Sequence, residues 1–503
     1  MHAKSDYIIK IWRKIRLENL FMAKTDKRIL GREEECRRLE RCMDADSAQL
    51  VIVYGRRRVG KTFLINQFFN NKFAYKITGV YGESRAVQLK NFITALNRNS
   101  RKKYAVPNDW YEAFEYLREY IGKLSKKSKQ VFFFDEMPWL DTHKSGFLSA
   151  FEWFWNDYAS AMDNVVFIVC GSATAWMDKK IVKNKGGLFH RQTCKLNLEP
   201  FDLATVEQYL MERNIRWSRY DIVECYMVMG GIPYYLSLLD EALTLKQNID
   251  NLFFKNKGEL WDEFEHLYKT LFSNSEKYEA VVEALSTKKY GMTRDEIISK
   301  TGICSGGDLS TILNNLILSG FVRATGFYEK KKKEAVYQLA DYYTLFYFKY
   351  IRNNYGKDEH YWVNATENPT RRTWSGYAFE QVCMDHISQI KYKLQIGGVL
   401  SKEYAWSISA DEEKGITGAQ IDLLIDRRDR VVSICEMKYS VNKFGIDKGY
   451  DEDLRNKIDS FVRATDCKKT VQLVMVTTYG LKQSKYNSLV NAEVELDDLF
   501  YPV

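Results

Sequence analysis

The stretch "QLVIVYGRRRVGKTFLINQFF", residues 49–69, decides the fold. Residues 49–55 are a short apolar run ending in glycine, as in a buried strand, and residues 61–71 carry helical periodicity. Between them stands Gly-x4-Gly-Lys-Thr, formed by Gly55, Arg56, Arg57, Arg58, Val59, Gly60, Lys61 and Thr62. A strand, a glycine loop and a helix in that order make a phosphate-binding site. The glycines allow backbone conformations that other residues resist. The loop then turns its N–H groups toward phosphates at the positive end of the helix. Lys61 is expected to reach the β- and γ-phosphates, and the Thr62 hydroxyl to bind Mg2+. The three arginines occupy positions where the backbone, not the side chain, faces the phosphate. Their side chains are expected to point out of the loop, raising the local positive potential or contacting another domain or subunit. A solvated basic rim fits the composition equally well.

Working outward, buried strands are expected at 73–80, 129–136 and 164–173, with helices at 84–98, 108–125 and 146–162 between them. That alternation predicts an α/β domain with a parallel sheet covered on both faces. "VFFFDE" (131–136) delivers Asp135 and Glu136 to the carboxyl end of a strand, where Asp135 would hold Mg2+ and Glu136 would polarise an attacking water. Ser172, at the end of the next strand, could sense a γ-phosphate. Arg191 could reach a phosphate in cis or in trans, or could be a surface arginine.

At 503 residues the chain predicts two to four domains. The net charge of +9 weakly favours a polyanionic partner. Nine cysteines without a Cys-x-x-Cys pair argue for a reducing cytoplasm and against a disulfide frame or zinc site. No apolar run is long enough for a membrane span. Residues 1–21 are basic and amphipathic without a signal-peptide core, and Met22 opens a more conventional start, so 1–21 reads as an upstream extension.

After residue 200 the sequence turns helical, and residues 276–340 predict helix, helix, helix and hairpin, the order of a winged helix. Leu309, Ile312, Leu313 and Leu316 form the buried stripe of its third helix. The exposed side offers Asp308, Thr311, Asn314 and Asn315, a poor major-groove reader. Lys330, Lys331, Lys332 and Lys333 at the hairpin tip suit DNA backbone contact; a solvated turn or a packing module remains open.

"AQIDLLIDRRDRVVSICEMKYS" (419–440) predicts a second hairpin. Centred on Asp429, it sets Asp422 opposite Glu436, with Lys438 on the same face; a one-residue slip would undo this. Two carboxylates and a lysine amid apolar neighbours suit metal-dependent phosphodiester hydrolysis. Asp422 and Glu436 would bind Mg2+ or Mn2+, and Lys438 would orient water or stabilise charge.

Several stretches stand in one order: "RILGREEECRRLE" (28–40), the glycine loop, "FFFDEMPWL" (132–140), "IVCGSATAWM" (168–177), "GLFHRQ" (187–192) and "GGIPYYL" (230–236). Together they resemble the archaeal and bacterial ATPase family within the AAA+ superfamily, over about residues 28–350. The resemblance implies ATP as the nucleotide, and places Gly31, Arg32 and Glu33 near its base. Asp422…Glu436-Met437-Lys438 resembles the PD-(D/E)XK, restriction-endonuclease-like fold, which implies a further metal-binding glutamate on a preceding helix, here Glu380 in "WSGYAFEQVC". Ile421 departs from that fold's usual proline. The organisation expected is an N-terminal extension (1–27), a P-loop ATPase core (28–200), a helical lid (201–272), a winged helix (273–350), a linker (351–370) and a nuclease-like α/β domain (371–503). Two functions follow: an ATP-dependent DNA-processing enzyme with a C-terminal nuclease, or a regulatory ATPase whose C-terminal domain binds without cutting. A signalling ATPase without a nucleic-acid role is a third. Either arrangement is compatible with a homo-oligomer.

Overall fold

The computed structural model describes residues 29–183, 186–188, 190–272, 274–304, 306–328, 335–354, 356–365, 369–410 and 418–503. The expected N-terminal extension and the four lysines 330–333 lie outside them.

The glycine loop leaves the carboxyl end of β1 (Gln49–Tyr54), a strand inside a five-stranded parallel sheet. Its companions are β2 (Tyr75–Thr78), β3 (Gln130–Asp135), β4 (Val165–Gly171) and β5 (Cys194–Asn197), in the order β2-β3-β4-β1-β5. Period-two alternation divides each strand between two cores. Val51, Val53, Ile168 and Cys170 face one side with Leu39, Leu64 and Ile65. Leu50, Ile52, Phe132 and Phe167 face the other with Phe92, Phe114 and Phe151. β5 escaped the sequence reading because "CKLN" has no apolar run; it pairs along the open edge of β1. The helix expected to reach 162 ends at Asp157, where Tyr158 leaves helical geometry and a 3-10 turn follows.

Beyond the sheet come helices Leu203–Glu212, Arg219–Met229 and Glu263–Leu271. Three more, Ser275–Ser286, Arg294–Thr301 and Gly307–Leu318, precede the hairpin of β6 (Val322–Thr325) and β7 (Val336–Leu339). Leu309, Ile312, Leu313 and Leu316 are buried. Past β6 the chain joins the C-terminal sheet. Tyr328 N donates to Ala405 O (3.2 Å), Ala405 N donates to Gly326 O (3.2 Å), and the Tyr328 ring enters the C-terminal core.

That second sheet is mixed, in the order β12-β11-β10-β9-β8, from β8 (Ser401–Ile408), β9 (Ala419–Arg427), β10 (Val431–Lys438), β11 (Thr470–Thr477) and β12 (Val490–Glu495). Before this sheet stand two helices in close succession, Pro369–Asp385, which carries Glu380, and Ile387–Lys393. Helix Lys448–Thr465 and β12 were not foreseen: the first is heavily charged, and the second is a short, acidic edge strand. One continuous apolar core runs from Leu39 through the helices to Phe500. The segment expected as a linker contributes a fully buried Trp362, whose backbone N–H donates to Asp250 Oδ1 (2.7 Å).

Candidate functional site

Two cavities contain most of the singled-out residues. The first, of about 740 Å3, opens over the glycine loop. Gly55 sits at φ +145, and a Cβ there would lie 2.2 Å from Leu198 O, so only glycine fits. Gly60 (φ +90) has nothing within 4 Å of its missing Cβ, leaving open space above the loop. Lys61 starts helix Lys61–Phe68 and is buried; its Nζ donates to Gly55 O (3.0 Å) and Arg56 O (2.7 Å). Burial pulls its pKa down. Thr62 Oγ1 donates to both oxygens of Asp135 (3.0 Å each). Burial, then the neighbouring Glu136, raises the Asp135 pKa. Glu136 holds a left-handed backbone (φ +47), and its carboxylate accepts from Ser172 Oγ (2.8 Å) and N (3.1 Å). Ser172 thus holds Glu136 in place. Arg191 is exposed and is not among the residues lining this cavity.

The arginine side chains leave the loop for two segments: Arg56 for Asp341, and Arg57 and Arg58 for the helix Glu263–Leu271. Arg56 pairs with Asp341 (2.7 Å) in full burial and lies over the Phe321 ring. Asp341 also caps the next helix, accepting from Thr344 N (3.0 Å) and Oγ1 (2.6 Å). Arg57 donates to Thr270 Oγ1. Arg58 pairs with Glu263 (2.6 Å) and lies 4.1 Å from the Tyr234 ring centroid. The cavity wall adds Leu30, Arg32, Phe201, Tyr209 and Tyr234. Of these, only Arg32 was singled out beforehand; "GGIPYYL" was noticed as a block, without a pattern that marks Tyr234 itself.

The second cavity, of about 340 Å3, lies at the C-terminal sheet. The β9–β10 pairs, Val432↔Asp426 through Cys435↔Leu423, centre on Asp429. Continuing that register places Asp422 opposite Glu436, and both line the cavity with Lys438 and Glu380. Glu436 is buried. It accepts from Lys457 Nζ (2.8 Å) and Tyr450 Oη (2.8 Å), and Lys438 Nζ lies 3.0 Å away. Burial alone would raise its pKa, but the two lysines outweigh it and hold it below the ordinary value. Asp422 accepts from Gln420 (3.1 Å), and burial raises its pKa. Glu380 pairs with Lys289 (2.9 Å); burial, then Asp422, pushes it up to about 7. Oxygen donors of this kind suit a hard divalent cation. Yet lysines take up Glu380 and Glu436, and among the described residues no three His, Cys, Asp or Glu groups are placed to hold an ion. Lys289, Tyr450 and Lys457 were not foreseen, because they lie on segments the hairpin motif does not include.

Residues 29–239 match a family described as an ATPase domain predominantly from Archaea. With the parallel sheet and the glycine loop, this part of the chain is an ATPase domain of the P-loop kind. The chain is 26% identical over 364 residues to an uncharacterised protein of Methanocaldococcus jannaschii, covering 72% of this chain and 77% of that one. A 43-residue stretch is 54% identical to an uncharacterised ATP-binding protein of the same organism, covering 8% of this chain and 73% of that one. Among solved structures, a Walker-type ATPase of Pyrococcus abyssi aligns at 20% identity with a TM-score of 0.47, covering 65% of this chain and 99% of its own. The ORC2 protein of Aeropyrum pernix aligns at 14% identity and 0.43, covering 65% and 95%. Among the described residues no helix is long and apolar enough to cross a membrane.

Proposed function

We propose that the chain is an AAA+-type ATPase that acts on DNA, with a metal-dependent nuclease of the PD-(D/E)XK kind at its C-terminal end, governed by the nucleotide. At the loop, the N–H groups of residues 55–60 and Lys61 bind the ATP phosphates, while Thr62 and Asp135 hold Mg2+. Mg2+ held there would supply charge neutralisation for the phosphates. Glu136, oriented by Ser172, draws a proton from water, and Arg191 reaches a phosphate in cis or in trans. The winged-helix order of residues 273–350 supplies the DNA adaptor, and Lys330–Lys333 its backbone contact.

One observation carries the nuclease reading: the hairpin register that sets Asp422 opposite Glu436, with Lys438 and Glu380 in the same cavity. Asp422, Glu436 and Glu380 would hold Mg2+ or Mn2+, which supplies charge stabilisation and an activated water. Lys438 orients that water. A second reading, a regulatory ATPase with a non-cutting C-terminal domain, is favoured by the lysines that take up Glu380 and Glu436.

The test is cleavage of linear and single-stranded DNA with Mn2+ or Mg2+, with and without ATP. Loss of cleavage in Asp422→Ala supports the nuclease, and altered cleavage in Lys61→Ala supports control by ATP. Intact ATP hydrolysis with no cleavage under any condition supports the second reading.

A further inference from the structure

The C-terminal cavity has a wall that does not belong to the C-terminal sheet. Lys289 and Tyr290 come from the turn between helices Ser275–Ser286 and Arg294–Thr301, yet both line the space between Glu380, Asp422 and Glu436. Lys289 Nζ lies 2.9 Å from Glu380 Oε1 and 4.8 Å from the Tyr290 ring centroid. Tyr290 is 45% exposed.

The turn is braced. Gln338 on β7 donates to Lys289 O (3.0 Å). Met292 and Tyr337 exchange two backbone hydrogen bonds (2.9 and 2.8 Å). Gly291 adopts φ +78, and a Cβ there would lie 2.6 Å from Tyr337 O, so the backbones meet as closely as glycine allows. β6, the partner of β7, runs on into contact with β8. Lys289 is about a third exposed and Glu380 mostly buried (37% and 14%), so the pair helps to hold the turn in place, but that does not account for the exposed Tyr290 ring beside it. A cation beside an exposed aromatic ring, held rigidly over a carboxylate site, is what recognition of one nucleotide unit requires: charge for the phosphate and a face for the base.

Resting on the nuclease-fold reading above, we propose that Lys289 and Tyr290 form a substrate-positioning element for single-stranded polynucleotide, lent by the middle of the chain to the C-terminal cavity. Lys289 fixes the Glu380 carboxylate and contacts a backbone phosphate. Tyr290 stacks on the adjoining base.

The test uses the full chain and a fluorescently labelled single-stranded DNA oligonucleotide, with EDTA, over a series of salt concentrations. Lys289→Ala is expected to weaken binding and to reduce the slope of log K against log salt by about 0.7, the value for one lost phosphate contact. Lys289→Arg restores that slope. Tyr290→Ala weakens binding about tenfold and leaves the slope unchanged. An unchanged slope in Lys289→Ala with an unchanged melting temperature overturns the proposal, as does tighter binding, which would make the lysine a plug. Cleavage by the wild type with Mn2+ separates the two readings. A reduced slope without cleavage keeps this element and removes the nuclease. Cleavage that is indifferent to Lys289 keeps the nuclease and removes this element.

Discussion

The two cavities handle charge in opposite ways. Over the glycine loop, Lys61 rests on backbone carbonyls and Asp135 on a hydroxyl, so neither makes a direct ion pair. At the C-terminal sheet, Glu380 and Glu436 already face lysines. The first site therefore gains most from a charged ligand, since buried ions without a direct counter-ion are costly. The second exchanges one set of ion pairs for another. Charge complement, more than depth, separates a site waiting for its ligand from one that must be opened to receive it.

The largest expected effect tests the first half of that contrast. Lys61→Ala should lower ATP turnover by about 10²–10³-fold, the usual loss when a positioned charge stabiliser is removed. Mg-ATP should raise the melting temperature of the wild type, and that rise should vanish in the variant. Steady-state hydrolysis and thermal melts read both, and a variant that keeps either would break the comparison.

Next is the arginine that ties the loop to the rest of the chain. Arg56→Ala leaves Asp341 buried and unpaired, and should cost about 3–5 kcal/mol in denaturant unfolding. Arg56→Met with Asp341→Leu should recover most of it. A loss below about 1 kcal/mol in the single variant would show that the pair is not buried in solution.

Ser172→Ala removes two roles from one hydroxyl: its bond to Glu136 and any contact with a phosphate. Hydrogen bonds to charged groups contribute about 1.5–3 kcal/mol, so turnover should fall by about 10- to 100-fold. Nucleotide affinity should change less than turnover if holding Glu136 is its main work.

The smallest effect concerns the joint between the regions. His386 is buried; its Nε2 accepts from Leu203 N (3.1 Å) and its Nδ1 lies 2.7 Å from Val382 O. That arrangement requires the neutral ring, and burial lowers its pKa. The unfolded chain therefore binds more protons than the folded one below the ordinary histidine value. The stability is present above about 6.5 and is lost as pH falls toward the lowered folded value. Melts over that window should slope downward with acid, and His386→Gln should flatten the slope.

How much was legible beforehand depended on whether the information was local. β1, the loop and helix Lys61–Phe68 lie in one stretch, and β3 announces itself by four apolar residues before two acids. The β9–β10 register agrees with a turn centred on Asp429, a centring that the sequence offers but does not fix, since a one-residue slip turns every side chain to the other face. What escaped depends on distant segments. β5 is a strand only because β1 has an open edge. The arginines find partners more than two hundred residues away. Lys289 meets Glu380 across 91 residues. No spacing rule in a single chain marks such pairs.

The bond between Tyr328 and Ala405 has a consequence for the history of each molecule. β8 is an edge strand, and an uncovered edge is a template for the wrong partner. During synthesis, the segment after β6 is made before β8 and stands ready when that edge emerges. The earlier half of the chain thus covers an edge that the later half would otherwise expose. A fragment beginning at residue 371 would be born without its escort.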